Sequence, residues 1–146
     1  MKKFLNITTI SVLMLSANAF AKPTIELYKS PTCGCCSQWA ATMEKQGYEV
    51  HTHMQNNWES VKAPFHMPNQ LASCHTALID GYMIEGHVPE ADIARLLKER
   101  PADIVGLAAP GMPRFSPGMA PEGHPYEDFN VVAFNKQGKM SLYKKY

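Results

Sequence analysis

Three cysteines in four residues, Cys33-Gly34-Cys35-Cys36, stand between a strand-like segment and a helix-like one, and this junction constrains the fold more than any other part of the chain. Thr24 to Tyr28 alternates in polarity, the period of a strand with one buried face. Ser30-Pro31-Thr32 stops it. After the cysteines, Cys36, Trp39, Ala40, Met43 and Gly47 recur at helical spacing on one face, with Gly47 placed to close the helix. Tyr48 to His53 alternates again. Strand, helix and strand in this order form a parallel pair with a right-handed crossover. The cysteines then sit on the first turn of the helix. Unpaired amide N–H groups and the helix dipole stabilise a thiolate there, which is both the nucleophile and the soft-metal ligand.

The rest of the chain extends this pattern. Asn57 to Val61 reads as a short helix, and Pro64 and Pro68 break the stretch after it. His75 to Asp80 and Met83 to Gly86 read as two strands joined by the turn Asp80-Gly81-Tyr82. Pro89 opens a helix at its first position, with Glu90 and Asp92 in the first turn, Ile93, Leu96 and Leu97 on one face, and Lys98 and Arg100 near the end; Pro101 stops it. Leu107 to Asp128 holds five of the eleven prolines and predicts a long irregular loop. Phe129 to Asn135 and Lys139 to Tyr146, joined by Lys136-Gln137-Gly138, predict a C-terminal hairpin. The order β–cysteine motif–α–β–α–β–β–α is thioredoxin-like. The expected fold class is α/β: a thioredoxin-like sandwich with a mixed sheet, plus the Pro/Gly/Met loop and the C-terminal β-hairpin, as a single domain over residues 22–146.

The first residues carry an address. Lys2 and Lys3, the short apolar run from Phe4 to Leu15, and the small-x-small Ala19-Phe20-Ala21 have the pattern of a cleaved signal peptide over residues 1–21. The run is shorter than the roughly 20 apolar residues of a spanning helix, so stable membrane insertion is not expected, and an uncleaved anchor is the weaker alternative. The pattern is bacterial in type and points to the periplasm, where exposed thiols oxidise unless a reductant or a metal protects them. Fourteen Lys and Arg face thirteen Asp and Glu, and loss of Lys2 and Lys3 leaves twelve against thirteen. That near-neutral balance, without a basic run longer than two residues, excludes a phosphate-tracking surface and with it nucleic acid as a partner.

The chemistry lies in the sulfurs. Cys33 and Cys36 form a CxxC pair at a strand-to-helix junction, the arrangement of dithiol redox centres, and are the expected catalytic residues. Cys35 is surplus to dithiol chemistry. Cys74 supplies a fourth sulfur: in thioredoxin-like folds the segment before the third strand packs on the CxxC loop and usually carries a cis-proline, and here Ser73-Cys74-His75 takes that place. Four sulfurs and an imidazole would then converge, a set suited to Cu(I) or Zn(II). His87, at the strand-to-helix corner Glu85-Gly86-His87-Val88-Pro89, can face the same edge. The candidate metal ligands are therefore Cys33, Cys35, Cys36, Cys74, His75 and His87. His51 and His53 share a strand face and, like His66, read as surface residues. Met43 belongs to the core face; Met112 and Met119, in Pro-Gly-Met repeats, either guide Cu(I) or pin their loop, and pinning is preferred. Purely structural bridging is the bland alternative, but a Cys35-Cys36 bridge is geometrically awkward and a helix-start cluster is a poor loop staple. A closed structural zinc site is disfavoured because CxCC is not a usual pattern for one.

A family resemblance rests on these residues. Tyr28-Lys29-Ser30-Pro31-Thr32-Cys33-Gly34-Cys35-Cys36, Ser73-Cys74-His75-Thr76-Ala77, Gly81-Tyr82 through Glu85-Gly86-His87-Val88-Pro89, Gly111-Met112-Pro113 and Ser116-Pro117-Gly118-Met119 together resemble the CopG-type family of copper-binding proteins, over nearly all of the mature chain. The resemblance implies an exported thioredoxin-like protein of bacterial copper resistance. It implies copper, Cu(I) and Cu(II), bound through the CxCC cysteines and the later Cys-His pair and interconverted there, with periplasmic copper efflux or chaperone proteins as partners. On this chain it falls on Cys33, Cys35, Cys36 and Cys74, and then on His75 and His87. Two alternatives stay open: a passive Cu(I)-binding or shuttle protein, and a general thiol–disulfide oxidoreductase, which leaves Cys35 and Cys74 without a role.

Overall fold

The computed structural model describes residues 21–146; the signal peptide expected over residues 1–21 lies, Ala21 apart, outside the described residues. Strand β1 (Ile25–Lys29) leads through the cysteine turn into helix α1 (Gly34–Lys45) and strand β2 (Val50–Met54). The short helix α2 (Glu59–Lys62) comes next, then two single turns of 3-10 helix at Ala63–Phe65 and Asn69–Leu71. The chain continues with β3 (His75–Ile79), β4 (Tyr82–Gly86), α3 (Glu90–Glu99), β5 (Gly106–Ala109), β6 (Asn130–Phe134) and β7 (Met140–Lys145). All seven strands join one mixed sheet in the order β2-β1-β3-β4-β5-β6-β7. The expected α/β class holds, and β1 and β2 pair in parallel as the first crossover requires.

Burial explains the placement of the helices. Ile25 and Leu27 of β1 turn inward against Trp39 and Met43 of α1, in one cluster with Ile79, Ile84, Ile93, Leu96, Leu107 and Val131. Trp39 also donates its indole N–H to the Val88 carbonyl at 2.9 Å, tying α1 to the corner between β4 and α3. A second cluster, Leu71, Met83, Ala108 and Phe134, is packed by Phe65 and Met67 from the segment between α2 and β3. Both faces of the central strands are therefore covered. Helix α1 closes as its sequence suggests: Gly47 takes φ +88° and its N–H bonds the Glu44 carbonyl. The turn between β3 and β4 puts Asp80 and Gly81 both at positive φ, as a tight hairpin of this twist demands.

The structure corrects the sequence reading in one substantial place. Gly106–Ala109 forms β5, overlapping the start of the stretch read as an irregular loop from Leu107 onward. Its four residues are all buried; it pairs in parallel with β4 and antiparallel with β6. Gly106 is required there, because a Cβ would run into the Met83 carbonyl and the Phe134 ring. The C-terminal hairpin is thus an extension of the main sheet through β5. Two smaller shifts concern helix starts. Pro89 is the residue before α3 and not its first position, and α2 begins at Glu59.

The chain end is tied to α3. Tyr146 stacks on Phe129 with ring centroids 4.8 Å apart and donates its hydroxyl to the buried Asp92 carboxylate at 2.7 Å. Hydrogen bonds to charged acceptors contribute about 1.5–3 kcal/mol, less where water can replace them. Tyr146→Phe is therefore predicted to lower unfolding stability by about 1–2 kcal/mol, read as a fall in denaturation midpoint with unchanged urea m-value.

Candidate metal centre

The cluster forms where two chain segments meet at one edge of the sheet. Antiparallel pairing of β1 with β3 sets Lys29 opposite His75. Beyond Lys29 lies the cysteine turn, and just before His75 lies Cys74. The ligand atoms of Cys33, Cys35, Cys36 and Cys74 all fall within 4.8 Å of one another, and so do those of Cys74, His75 and His87. Cys74 belongs to both groups. All six candidates named from the sequence are therefore brought together.

The cysteines divide into a closed pair and two free thiols. Cys33 and Cys36 form a disulfide; Cys35 and Cys74 are free. Cys35 Sγ lies 3.6 Å from Cys33 Sγ, and Cys36 Sγ lies 3.5 Å from the Cys74 carbonyl oxygen. Cys33 is the N-cap residue of α1 and contributes no side-chain cap, so the sulfurs share the helix start with amide N–H groups still open to a negative charge. Burial pushes the Cys74 thiol up to about 11, and the neighbouring Cys35 adds to the rise.

The imidazoles are set by their second nitrogens. His87 is fully buried and donates its Nδ1–H to the Pro117 carbonyl at 2.7 Å. That bond leaves Nε2 with its lone pair, 3.1 Å from Cys74 Sγ. A histidine whose far nitrogen is held by a carbonyl is the usual arrangement of a metal ligand. Burial also lowers the basicity of His87. His75 is pushed down to about 3 by burial and then by the nearby His87, so it is a neutral ring. Its Nδ1 lies 3.5 Å from Cys74 Sγ, while its buried Nε2 has no hydrogen-bond partner among the described residues. An unanswered buried nitrogen costs about 1–3 kcal/mol. A soft cation taken by two thiols and two neutral imidazoles fits this donor set.

The proline-rich segment holds the site mainly by its backbone. Ser73, beside Cys74, donates its hydroxyl to the Gly111 carbonyl, and the Gly111 N–H bonds the Ala72 carbonyl at 3.0 Å. Gly118 lies at φ +80° against the first turn of α1, where a Cβ would sit 2.6 Å from the Trp39 nitrogen and 2.9 Å from the Cys35 carbonyl oxygen. Only a glycine lets the Pro117 carbonyl reach His87 from that position. Met119 is half-buried in the segment, and Met112 is exposed.

Sequence reasoning missed the support beneath Cys74. Glu85 is buried in β4. Its carboxylate accepts the Ser73 N–H at 2.9 Å, the Thr76 hydroxyl at 2.6 Å and the Lys62 ammonium at 3.4 Å, and Thr76 in turn accepts the Trp58 indole N–H at 2.9 Å. The one signal was an acidic residue in an otherwise uncharged strand. The remaining histidines lie elsewhere: His51 and His53 are exposed beside Glu26, His66 caps a 3-10 turn, and His124 stacks on Phe115.

Comparison with known proteins agrees with this geometry. A family model described as "Protein of unknown function, DUF411" matches residues 71–119, which include Cys74, His75 and His87. Two solved structures, "Copper resistance protein copG- Form 1" and "Form 2", are each 38% identical to this chain with a TM-score of 0.76. Each alignment covers 86% of this chain and 98% of the other. No curated protein matches.

Gly118→Ala tests the clamp. Strain at positive φ plus the clash with α1 is predicted to cost about 2–3 kcal/mol. In nitrogen-15 NMR, His87 should lose its single Nδ1–H tautomer as the Pro117 carbonyl moves away.

Proposed function

The chain belongs to the CopG family of copper resistance proteins, and from that premise we propose that it binds copper and interconverts Cu(II) and Cu(I) in the periplasm. The observation that carries this reading is the shared Cys74. Its sulfur lies within 4.8 Å of the three cysteine-turn sulfurs and of one nitrogen from each of two histidines. Thiolates with imidazole suit Cu(I).

The electron source in this reading is the Cys33–Cys36 pair. Two thiols reduce two Cu(II) ions to two Cu(I), release two protons and close one disulfide. A sulfur locked in a disulfide is a poor ligand, so a protein that reduces copper and retains it needs further donors. Cys35, Cys74, His87 and His75 are those donors. The Pro117 carbonyl holds the His87 lone pair toward Cys74. Loading Cys74 with metal expels its thiol proton, as metal binding to cysteine always does. A general dithiol oxidoreductase would need only Cys33 and Cys36 and would leave the part-buried Cys74–His87 contact idle.

Export and partners complete the reading. The leader pattern over residues 1–21 supports a periplasmic site, where copper efflux or chaperone proteins would deliver and remove the metal. Among the described residues no helix is long and apolar enough to cross a membrane.

The test mixes fully reduced protein with Cu(II) without oxygen and traps Cu(I) with a chromogenic chelator. Two Cu(I) should appear for each Cys33–Cys36 disulfide formed. A Cys33→Ser, Cys36→Ser variant should produce none yet still bind added Cu(I). Wild-type yield no higher than that of the double variant refutes the redox reading, and metal-free reduction of insulin at thioredoxin-like rates would favour the general oxidoreductase.

A further inference from the structure

Lys29 ends β1 with its side chain turned into the protein and 2% exposed. Its ammonium makes one hydrogen bond, to the Ser30 carbonyl at 2.9 Å. Among the described residues no carboxylate pairs with it. Lysine tips normally run out to water, and an unpaired buried ammonium is among the costliest groups to hold inside a protein.

Its position is informative. The Ser30 carbonyl that Lys29 holds also accepts the Cys33 N–H at 3.1 Å, so the charge sits beneath the turn that launches the cysteines. Across the sheet Lys29 is opposite His75. A cation is thus built against both halves of the sulfur–imidazole cluster. In the disulfide form the Cys33–Cys36 bridge is neutral, so neither of its sulfurs balances that charge. Negative charge arises on that pair when the disulfide opens or when its cysteines take a metal as thiolates.

We propose that Lys29 is the fixed counter-charge of this cluster, favouring the opened, anionic form of the Cys33–Cys36 pair over the disulfide. The inference rests on the reading that this disulfide opens in the working cycle. On opening, two glutathione thiols supply two electrons, the S–S bond breaks, and the reductant leaves as glutathione disulfide. The two protons pass to the protein sulfurs or to solvent, and a sulfur left as thiolate is met by the ammonium. Lys29 acts on charge; it is neither ligand nor electron source.

The experiment equilibrates metal-free protein in glutathione redox buffers at fixed pH and quantifies the Cys33–Cys36 disulfide. Lys29→Met and Lys29→Gln should each shift the equilibrium about tenfold toward the disulfide, which is about 30 mV. Glutamine keeps a donor for the Ser30 carbonyl, so it separates charge from hydrogen bonding and serves where methionine disturbs folding. Lys29→Arg should stay within about twofold of wild type, since it keeps the charge. Neutral variants that match wild type overturn the proposal, as does an arginine variant that shifts as far as the neutral ones. The assay contains no copper, so wild-type protein that failed to reduce Cu(II) would leave this outcome readable on its own.

Discussion

The antiparallel register between β1 and β3 is the constraint on which the site depends. It sets Lys29 against His75, and so brings the residue before β3 up to the residues after β1. Cys74 meets the cysteine turn for that reason and no other, since 37 residues separate it from Cys36 in the chain. A slip of one residue would turn every side chain of β3 to the opposite face. It would exchange buried Ala77 and Ile79 for Leu78 in the α1 cluster and break the contact between Cys74 and His87. The apolar core and the candidate site are therefore specified by the same hydrogen-bonded ladder.

Around that ladder, polar groups that are costly to bury are answered one by one. The Glu85 carboxylate takes three donors and anchors Ser73, which in turn holds Gly111. The Pro117 carbonyl fixes the tautomer of His87. Besides the Tyr143 hydroxyl, which finds no partner among the described residues, two groups stand out because those residues leave them short: the buried Nε2 of His75, without a partner, and the Lys29 ammonium, without an anion. Both lie at the cluster. Thiolates formed there would give the lysine the negative charge it lacks, while the His75 nitrogen that faces the sulfurs is Nδ1, 3.5 Å from Cys74 Sγ.

Much of this was legible in the sequence because it rests on periodicity and turn chemistry. The β1–α1–β2 unit, the Asp80-Gly81 hairpin and α3 each carry a strong local pattern, and the order of elements was enough to bring Cys74 and His75 toward the cysteine turn. Three features were not legible, each for a physical reason. Strand β5 is a four-residue apolar run, ambiguous by period and adjoining dense proline, and only its neighbours β4 and β6 identify it. The hold on His87 comes from a backbone carbonyl, which leaves no mark on residue type. Burial of Lys29 and Glu85 runs against the ordinary habit of charged side chains, so nothing local distinguishes them from surface residues. Met112 and Met119 remain in their loop with one exposed and one half-buried, and glycine and backbone contacts hold that loop against the site.

The central claim is that one ion is shared between the cysteine turn and the segment before β3. X-ray absorption at the copper edge of Cu(I)-loaded protein addresses it most directly, comparing wild type with Cys74→Ser and His87→Ala. The account predicts mixed sulfur and imidazole scattering in the wild type, with fewer sulfur neighbours in the first variant and a weaker imidazole signal in the second. Spectra identical in all three proteins would contradict it, since copper would then be held by the cysteine turn alone.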